Sequence, residues 1–471
     1  MTKKPSTLQG LNPKCAGIDI GASSIFVCVS DKNRPQEVRE YSTCTRDLNA
    51  MATWLKKRGV QSVAMESTGI YWLPPFEILE ANGFKVLLVN AHHLKNVPGR
   101  KTDVKDAQWI QQLHSCGLLN GSFRPSNDFV HLRSYVRQRR QLFNRASTYV
   151  RLMQKALVQM NVQMHLAVRD VTGKTGLAIV QAIVRGEHNP TQLADYRQKN
   201  CKKTKEEIVK ALEGNWREEH IFDLRQAYES YEFCHKHITE CEQKIEKILP
   251  TLTPPDFTEA PSKAPRDPFE EFSPPEEGMN IEKPAKKKAK KSSYNRSPYC
   301  FDAAEKVRHL CKGVDLTEIP GIEDNTLVVI LSEIGTDMSK WKTVKHFTSW
   351  LGLCPGSKIS GGKVLSSKTK PTNNRAAYAL RLAANALYRS QTALGAFFRR
   401  MRSRHGAPKA ITAAAHKLAK LIYRMLKYGK SYKELGTDYY DKMHRNRVLS
   451  NLEKRAAELG HQLLPISIEQ T

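Results

Sequence analysis

From Phe129 to Met160 the apolar residues recur in steps of three and four: Phe129, Leu132, Val136, Arg139, Phe143, Ala146, Val150, Met153, Leu157 and Met160, with Arg139 the one polar member. That spacing keeps a single stripe on one side of a long α-helix, and the two-residue period of a strand cannot do so. A second run, Leu224, Ala227, Tyr231, Cys234, Ile238, Cys241, Ile245 and Ile248, follows the same alternation until Pro250, whose ring and missing N–H stop a helix. Two helices this long predict a coiled-coil connector, paired within one chain or between chains. Cys234, His235, His237 and Cys241 share the second run, but the cysteines fit its buried stripe and no second ligand pair of zinc-site spacing follows.

Around the connector the chain changes character. The first part alternates short β-runs with amphipathic helices: strands at Cys15–Ile20 and Ile25–Ser30, a helix near Leu48–Arg58, a strand at Ser62–Glu66, a helix near Ile70–Asn82 and a strand at Lys85–Asn90. This predicts a mixed α/β sheet. Pro254–Ser297 is rich in proline, acids and then lysine, a composition unable to bury a core and read as a disordered tether. Helix-forming sequence resumes near Phe301, interrupted at Gly352–Ser367. The expected organisation is a tail (1–13), an α/β domain (14–125), a helical connector (126–250), a disordered Pro/Lys-rich linker (251–300), a mainly α C-terminal domain (301–435) and a helical tail (436–471).

Charge narrows the partner. With 75 Lys and Arg against 47 Asp and Glu, the net charge is +28, which favours nucleic acid over small metabolites. No stretch has the composition of a membrane span or a secretory signal, so an intracellular, cytoplasmic protein without membrane contact is expected. Against this basic background four acids stand out: Asp19 in Gly-Ile-Asp-Ile-Gly, Glu66 closing Val-Ala-Met-Glu, and Asp103 with Asp106 in Lys-Thr-Asp-Val-Lys-Asp-Ala. Asp19 and Glu66 lie on strands, whereas Asp103 and Asp106, three apart, share a helix face, so four carboxylates are able to converge from three elements. Crowded carboxylates repel, and a divalent cation relieves them. Oxygen donors without histidine suit Mg²⁺, with Mn²⁺ as a substitute, and two such ions can activate the attacking oxygen and stabilise the leaving oxygen of a phosphodiester. The plainer alternative makes them surface acids, with Asp103 a helix N-cap.

Two later segments carry further chemistry. Thr317–Thr326 contains Ile-Pro-Gly-Ile ahead of an apolar helix, a helix-hairpin-helix-like turn whose backbone at Gly321 can hold a phosphate or merely join two helices. Ser360 precedes Gly361, Gly362 and Lys363; small neighbours admit a phosphodiester to the hydroxyl, while Lys363, Lys368 and Arg375 can neutralise phosphoryl oxygens. Ser-Gly-Gly is equally the composition of a tight turn. Lys101 and the helical arginines Arg133, Arg137, Arg140 and Arg145 complete the candidate nucleic-acid contacts.

The ordered motifs Gly-Ile-Asp-Ile-Gly, Met-Glu-Ser-Thr-Gly-Ile-Tyr, Lys-Thr-Asp-Val-Lys-Asp-Ala, Ile-Pro-Gly-Ile, Leu-Gly-Leu-Cys-Pro and Ser-Gly-Gly-Lys closely resemble the DEDD transposases of bacterial insertion sequences, the insertion-sequence 110 family or bridge recombinases. The resemblance spans roughly residues 14–160 and 315–400. It implies an RNase H-like (RuvC-like) N-terminal domain, a coiled-coil connection and a C-terminal transposase domain. It implies Mg²⁺ on Asp19, Glu66, Asp103 and Asp106, and a serine that bonds transiently to a DNA 5′ phosphate, falling most naturally on Ser360. Donor and target DNA, a structured guide RNA, a dimeric or tetrameric homo-oligomer and association with the bacterial nucleoid follow from the same resemblance. After Ser360 the sequence departs from the family's run, which leaves Ser357, Ser366 and Ser367 as rival nucleophiles. Two other functions fit the residues: a metal-only RuvC-type junction nuclease, and a non-catalytic RNA-binding scaffold.

Overall fold

The computed structural model describes residues 11–31, 34–67, 69–90, 102–199, 201–259 and 299–464. The Pro/Lys-rich segment expected to be disordered lies almost wholly outside these residues, as does Lys101. The chain forms two compact units, Met1–Arg124 and Pro125–Thr471.

The first unit is a five-stranded sheet in the order β3-β2-β1-β4-β5, built from β1 (Cys15–Ile20), β2 (Ser24–Asp31), β3 (Arg34–Ser42), β4 (Ser62–Glu66) and β5 (Lys85–Val89). The β1–β2 and β2–β3 pairs are antiparallel, while β1–β4 and β4–β5 are parallel. Helices α1 (Thr45–Lys57) and α2 (Leu73–Ala81) join the parallel strands, since parallel neighbours need a crossover. Leu48, Met51, Ala52 and Leu55 of α1 pack with Phe76 and Leu79 of α2 on the face carrying Ile18, Ile20, Ile25 and Val27. The opposite face, through Ala64 and Val89, takes Ile110 of α3 (Asp103–Ser115). This mixed sheet covered by helices on both faces is consistent with an RNase H-like domain.

Strand β3 has no counterpart among the expected elements. Its sequence, Arg-Pro-Gln-Glu-Val-Arg-Glu-Tyr-Ser, is mostly polar and contains a proline. It is an edge strand paired only to β2, and charge and proline are how edges avoid pairing with other chains.

In the second unit α4 (Asn127–Gln159) and α9 (Glu218–Ile248) run antiparallel against each other within one chain. The short helices α5 (Met164–Ala167), α6 (Lys174–Val184), α7 (Pro190–Asp195) and α8 (Lys205–Leu212) pack into the core they share at one end. The stripe on α4 differs from its heptad reading at two positions: Leu142 is buried where Phe143 was expected, with Phe143 half-buried beside it, and Val150 is half-buried against the core. A straight helix drifts from a strict seven-residue repeat, so the buried line moves to the neighbouring residue.

Arg139, the polar member of the stripe, is only 3% exposed and donates through Nε to Glu242 of α9 at 2.7 Å. Its Nη1 donates to Asn325 at 2.9 Å, and its guanidinium stacks 3.9 Å from the Tyr299 ring centroid. Glu242 also accepts from the backbone N–H of Cys300 at 2.9 Å. A buried charge is tolerable where an opposite charge and hydrogen-bond partners such as these surround it. His235 lies against the Tyr231 ring and His237 pairs with Glu240 at 2.8 Å, so the Cys/His run on α9 is spent on helix packing and surface pairing.

The rest of the unit is α10 (Ala303–Leu310), α11 (Asp324–Ile334), α12 (Val344–Trp350), the two-stranded β6 (Lys358–Ser360) and β7 (Lys363–Ser366), then α13 (Arg375–Ala386), α14 (Ala393–His405), α15 (Ala407–Tyr428) and α16 (Gly436–Glu458). Trp341, Phe347 and Tyr423 form an aromatic cluster, with the Tyr423 hydroxyl donating to the Trp341 carbonyl at 3.0 Å. Among the described residues no helix is long and apolar enough to cross a membrane.

Candidate active site

Successive strand residues point to opposite faces, so Cys15, Gly17 and Asp19 share the side of β1 turned toward α3, while Ile18 and Ile20 enter the core beneath α1 and α2. Gly17 controls how near α3 comes. A Cβ there would lie 2.2 Å from the backbone N of Gln111 and 2.5 Å from the carbonyl of Ala107. The helix runs antiparallel to the strand, with Gln111 beside Cys15 and its first turn beside Asp19. Thr102 caps it, its side chain accepting from the Lys105 N–H at 3.3 Å. Asp103 is therefore not the cap, and its carboxylate is left to face outward from the first turn.

Asp19, Asp103 and Asp106 each offer a carboxylate oxygen within 4.8 Å of the others. Glu66 stands outside that mutual spacing. It ends β4, the parallel neighbour of β1, two residues beyond Ala64 and so on the same α3-facing side, and its charge acts on Asp19. The Asp19 carboxyl is pushed from its ordinary 3.8 up to about 6, first by burial, then by the like charges of Asp106, Asp103 and Glu66. The helix N-terminus offsets part of this repulsion, because its unpaired N–H groups favour acids in the first turn. Three crowded oxygens without nitrogen or sulfur are a donor set that fits a hard divalent cation such as Mg²⁺.

Ser360 ends β6 opposite Lys363 of β7. The two residues between them, Gly361 and Gly362, have φ of +53° and +75°, the left-handed pair that a two-residue hairpin turn requires. Ser360 and Lys363 are exposed, as are Ile359, Val364 and Leu365. Among the rivals, Ser366 accepts from the Lys368 N–H at 3.3 Å and is half-buried, whereas Ser357 and Ser367 are exposed. Lys368 is also exposed, its carbonyl accepting from the Gly356 N–H at 2.9 Å.

The candidate nucleic-acid contacts separate into different environments. Glu333 of α11, 7% exposed, holds Arg137 through a two-bond fork at 2.8 and 2.7 Å and lies 3.3 Å from Arg133. Arg133 also donates to the carbonyls of Ser332 and Glu333. Arg140 lies over the Tyr378 ring, Arg145 is exposed on α4 and Arg375 opens α13. Gly321 has φ +85°, and a Cβ there would come within 2.7 Å of the Ala383 carbonyl, so its missing side chain admits α13. Arg137, Arg140 and Arg375, together with Tyr378 and Arg381, line one cleft of about 420 Å³ between α4 and α13. Tyr378 and Arg381 were not among the sequence candidates, although Arg375, Tyr378 and Arg381 recur every third residue and so share one helix side.

Two family models match the chain. One, described as a transposase and of the DEDD type, covers residues 16–162, and the other, described as the transposase IS116/IS110/IS902 family, covers 315–399. The first spans the acids at 19, 66, 103 and 106, and the second spans the 358–366 hairpin and the start of α13. No curated protein matches the chain. Acids gathered at the end of a mixed α/β sheet, followed by a second matched region bearing an exposed serine, give a single family answer: the chain belongs to the DEDD transposases of the IS116/IS110/IS902 insertion-sequence family.

Proposed function

We propose that the chain is a recombinase that cuts and rejoins DNA strands at the ends of an insertion sequence, with Asp19, Asp103, Asp106 and Glu66 as the divalent-cation site and Ser360 as the nucleophile. The observation that carries this reading is the meeting of three carboxylates within 4.8 Å in a chain of net charge +28. Mg²⁺ bound there supplies charge neutralisation at the phosphoryl oxygens. Asp19, with its pKa near 6, is ionised at neutral pH and places negative charge where a cation is needed.

The Ser360 hydroxyl oxygen attacks the phosphorus of a DNA phosphodiester. The bond from phosphorus to the 3′ oxygen breaks, the serine proton ends on that oxygen as a 3′ hydroxyl, and the 5′ phosphate remains on the serine. Attack on this serine ester by a 3′ hydroxyl of a second strand reverses the step and rejoins DNA, so no nucleotide cofactor is needed. The exposed hairpin and its flanking Lys363 support this role for Ser360. A structured guide RNA and a homo-oligomer belong to the same proposal through the resemblance of the motifs.

The deciding experiment traps the protein–DNA adduct with a nicked donor end in Mg²⁺ and maps it by peptide mass spectrometry. Attachment at Ser360, lost in Ser360→Ala and in Asp19→Ala, is expected. Strand cleavage retained by Ser360→Ala would replace the serine pathway with hydrolysis by the acid cluster alone, and discrete RNA failing to copurify from a host carrying the whole element would remove the guide.

A further inference from the structure

The cleft between α4 and the start of α13 gathers more positive charge than packing requires. Arg137, Arg140, Arg375 and Arg381 line it, and no carboxylate does. Glu333 engages Arg137 from behind through Nε and Nη2, leaving the other terminal nitrogen uncommitted by that fork. Arg381 reaches the Gly352 carbonyl at 3.3 Å with a single terminal nitrogen. Burial and the charges of Arg137 and Arg140 depress the Arg375 guanidinium below its ordinary pKa, with Glu333 acting the other way. The side-chain oxygen of Asn374 is taken by the Ala377 N–H at 3.1 Å, so its amide N–H groups are what remain to offer. The lining is thus rich in donors and calls for a ligand of acceptors and negative charge.

Size and shape refine the ligand. About 420 Å³ exceeds the need of one phosphate and falls within the roughly 300–1,000 Å³ of small-ligand sites. Tyr378, 48% exposed, presents an aromatic surface at the same cleft, with Arg140 4.9 Å from its ring centroid. Duplex phosphates lie on a convex cylinder and need no concavity or aromatic platform, whereas a base freed from pairing needs both.

We propose that this cleft binds an unpaired nucleotide of a nucleic-acid strand, its flanking phosphates on Arg137, Arg140, Arg375 and Arg381 and its base against Tyr378. The inference rests on the chain being a nucleic-acid-processing protein but not on the chemistry of the acid cluster. It assigns single-strand capture to the second unit, where residues of α4 meet residues that follow the Ser360 hairpin in sequence.

The test is fluorescence anisotropy with the full chain in EDTA, using labelled dodecathymidylate, its uridine RNA counterpart and a blunt DNA duplex across a salt series. Tyr378→Ala is expected to weaken single-strand binding by roughly five- to a hundredfold, as loss of one stacked base does, while Tyr378→Phe retains it. Arg375→Ala is expected to lower the slope of log affinity against log salt by about 0.7 for single strands, with Arg375→Lys restoring most of it. Comparison of the two single strands identifies whether the strand is DNA or RNA. Single-strand affinities unchanged in both alanine variants, an equal loss for the duplex, or no single-strand binding by the parent overturns the proposal. Because EDTA removes divalent metal, a failed cleavage assay leaves these values unmoved.

Discussion

Gly17 of β1 and Gln111 of α3 approach so closely that a Cβ on the glycine would sit 2.2 Å from the Gln111 backbone nitrogen. No side-chain rotation relieves a clash with backbone, so this glycine sets the height of α3 above the sheet and with it the spacing of Asp103 and Asp106 from Asp19. Gly17→Ala is expected to destabilise the chain by about 3 kcal/mol, the upper range for overpacking, and to abolish Mg²⁺-dependent cleavage. Thermal unfolding with and without Mg²⁺ checks this; a variant with wild-type melting and cleavage would show that α3 is free to lift.

The acid cluster makes stability depend on pH. Asp19 binds its proton more tightly when folded, near pH 6, than at its ordinary 3.8, so its favourable contribution is complete below about pH 4 and lost as pH rises through 6. In EDTA, Asp19→Asn is therefore expected to melt above the parent at pH 8, with the gap closing toward pH 4. Mg²⁺ is expected to raise the parent's melting temperature more at pH 8 than at pH 5 and to leave the variant nearly unmoved. A pH-independent gap, with no response to Mg²⁺, would count against convergence of these acids.

Arg139 and Glu242 join the two long helices at 2.7 Å with both side chains buried. Removing one partner strands the other charge, so Glu242→Ala is expected to cost about 3–5 kcal/mol in chemical denaturation, while the double change Arg139→Met with Glu242→Leu recovers much of it. A double variant no better than the single one would mean that Asn325, Tyr299 and Cys300 depend on the charges themselves.

Gly361 holds its left-handed conformation in open space, with no atom within 4 Å of where a Cβ would stand, so replacing it strains the backbone without creating a clash. Gly361→Val is expected to cost the hairpin about 1–2 kcal/mol, to reduce Ser360 adduct formation and to leave global melting unchanged. Adduct yield equal to the parent's would indicate that the hairpin's shape does not position the serine.

The linear order of residues already contained much of this molecule. The parallel and antiparallel strands on either side of Asp19, the helix carrying Asp103 and Asp106, and the two long apolar stripes are all legible, because burial on one side of a strand or helix writes a period of two or about three and a half into the chain. Strand β3 was not legible, since an edge strand has one neighbour and keeps polar residues.

What only tertiary structure decided are relations between distant residues. Glu333 claims Arg133 and Arg137, nearly two hundred positions away, and thereby gives similar arginines of one helix different surroundings, Arg137 paired from behind at the cleft and Arg140 lining it over the Tyr378 ring. Gly17 lets one helix descend onto one strand, so that three carboxylates meet while Glu66 stays outside their spacing. Periodicity records which side of an element is buried; the distance between two elements, and so the electrostatics of a site built across them, follows from what each side chain meets when they pack.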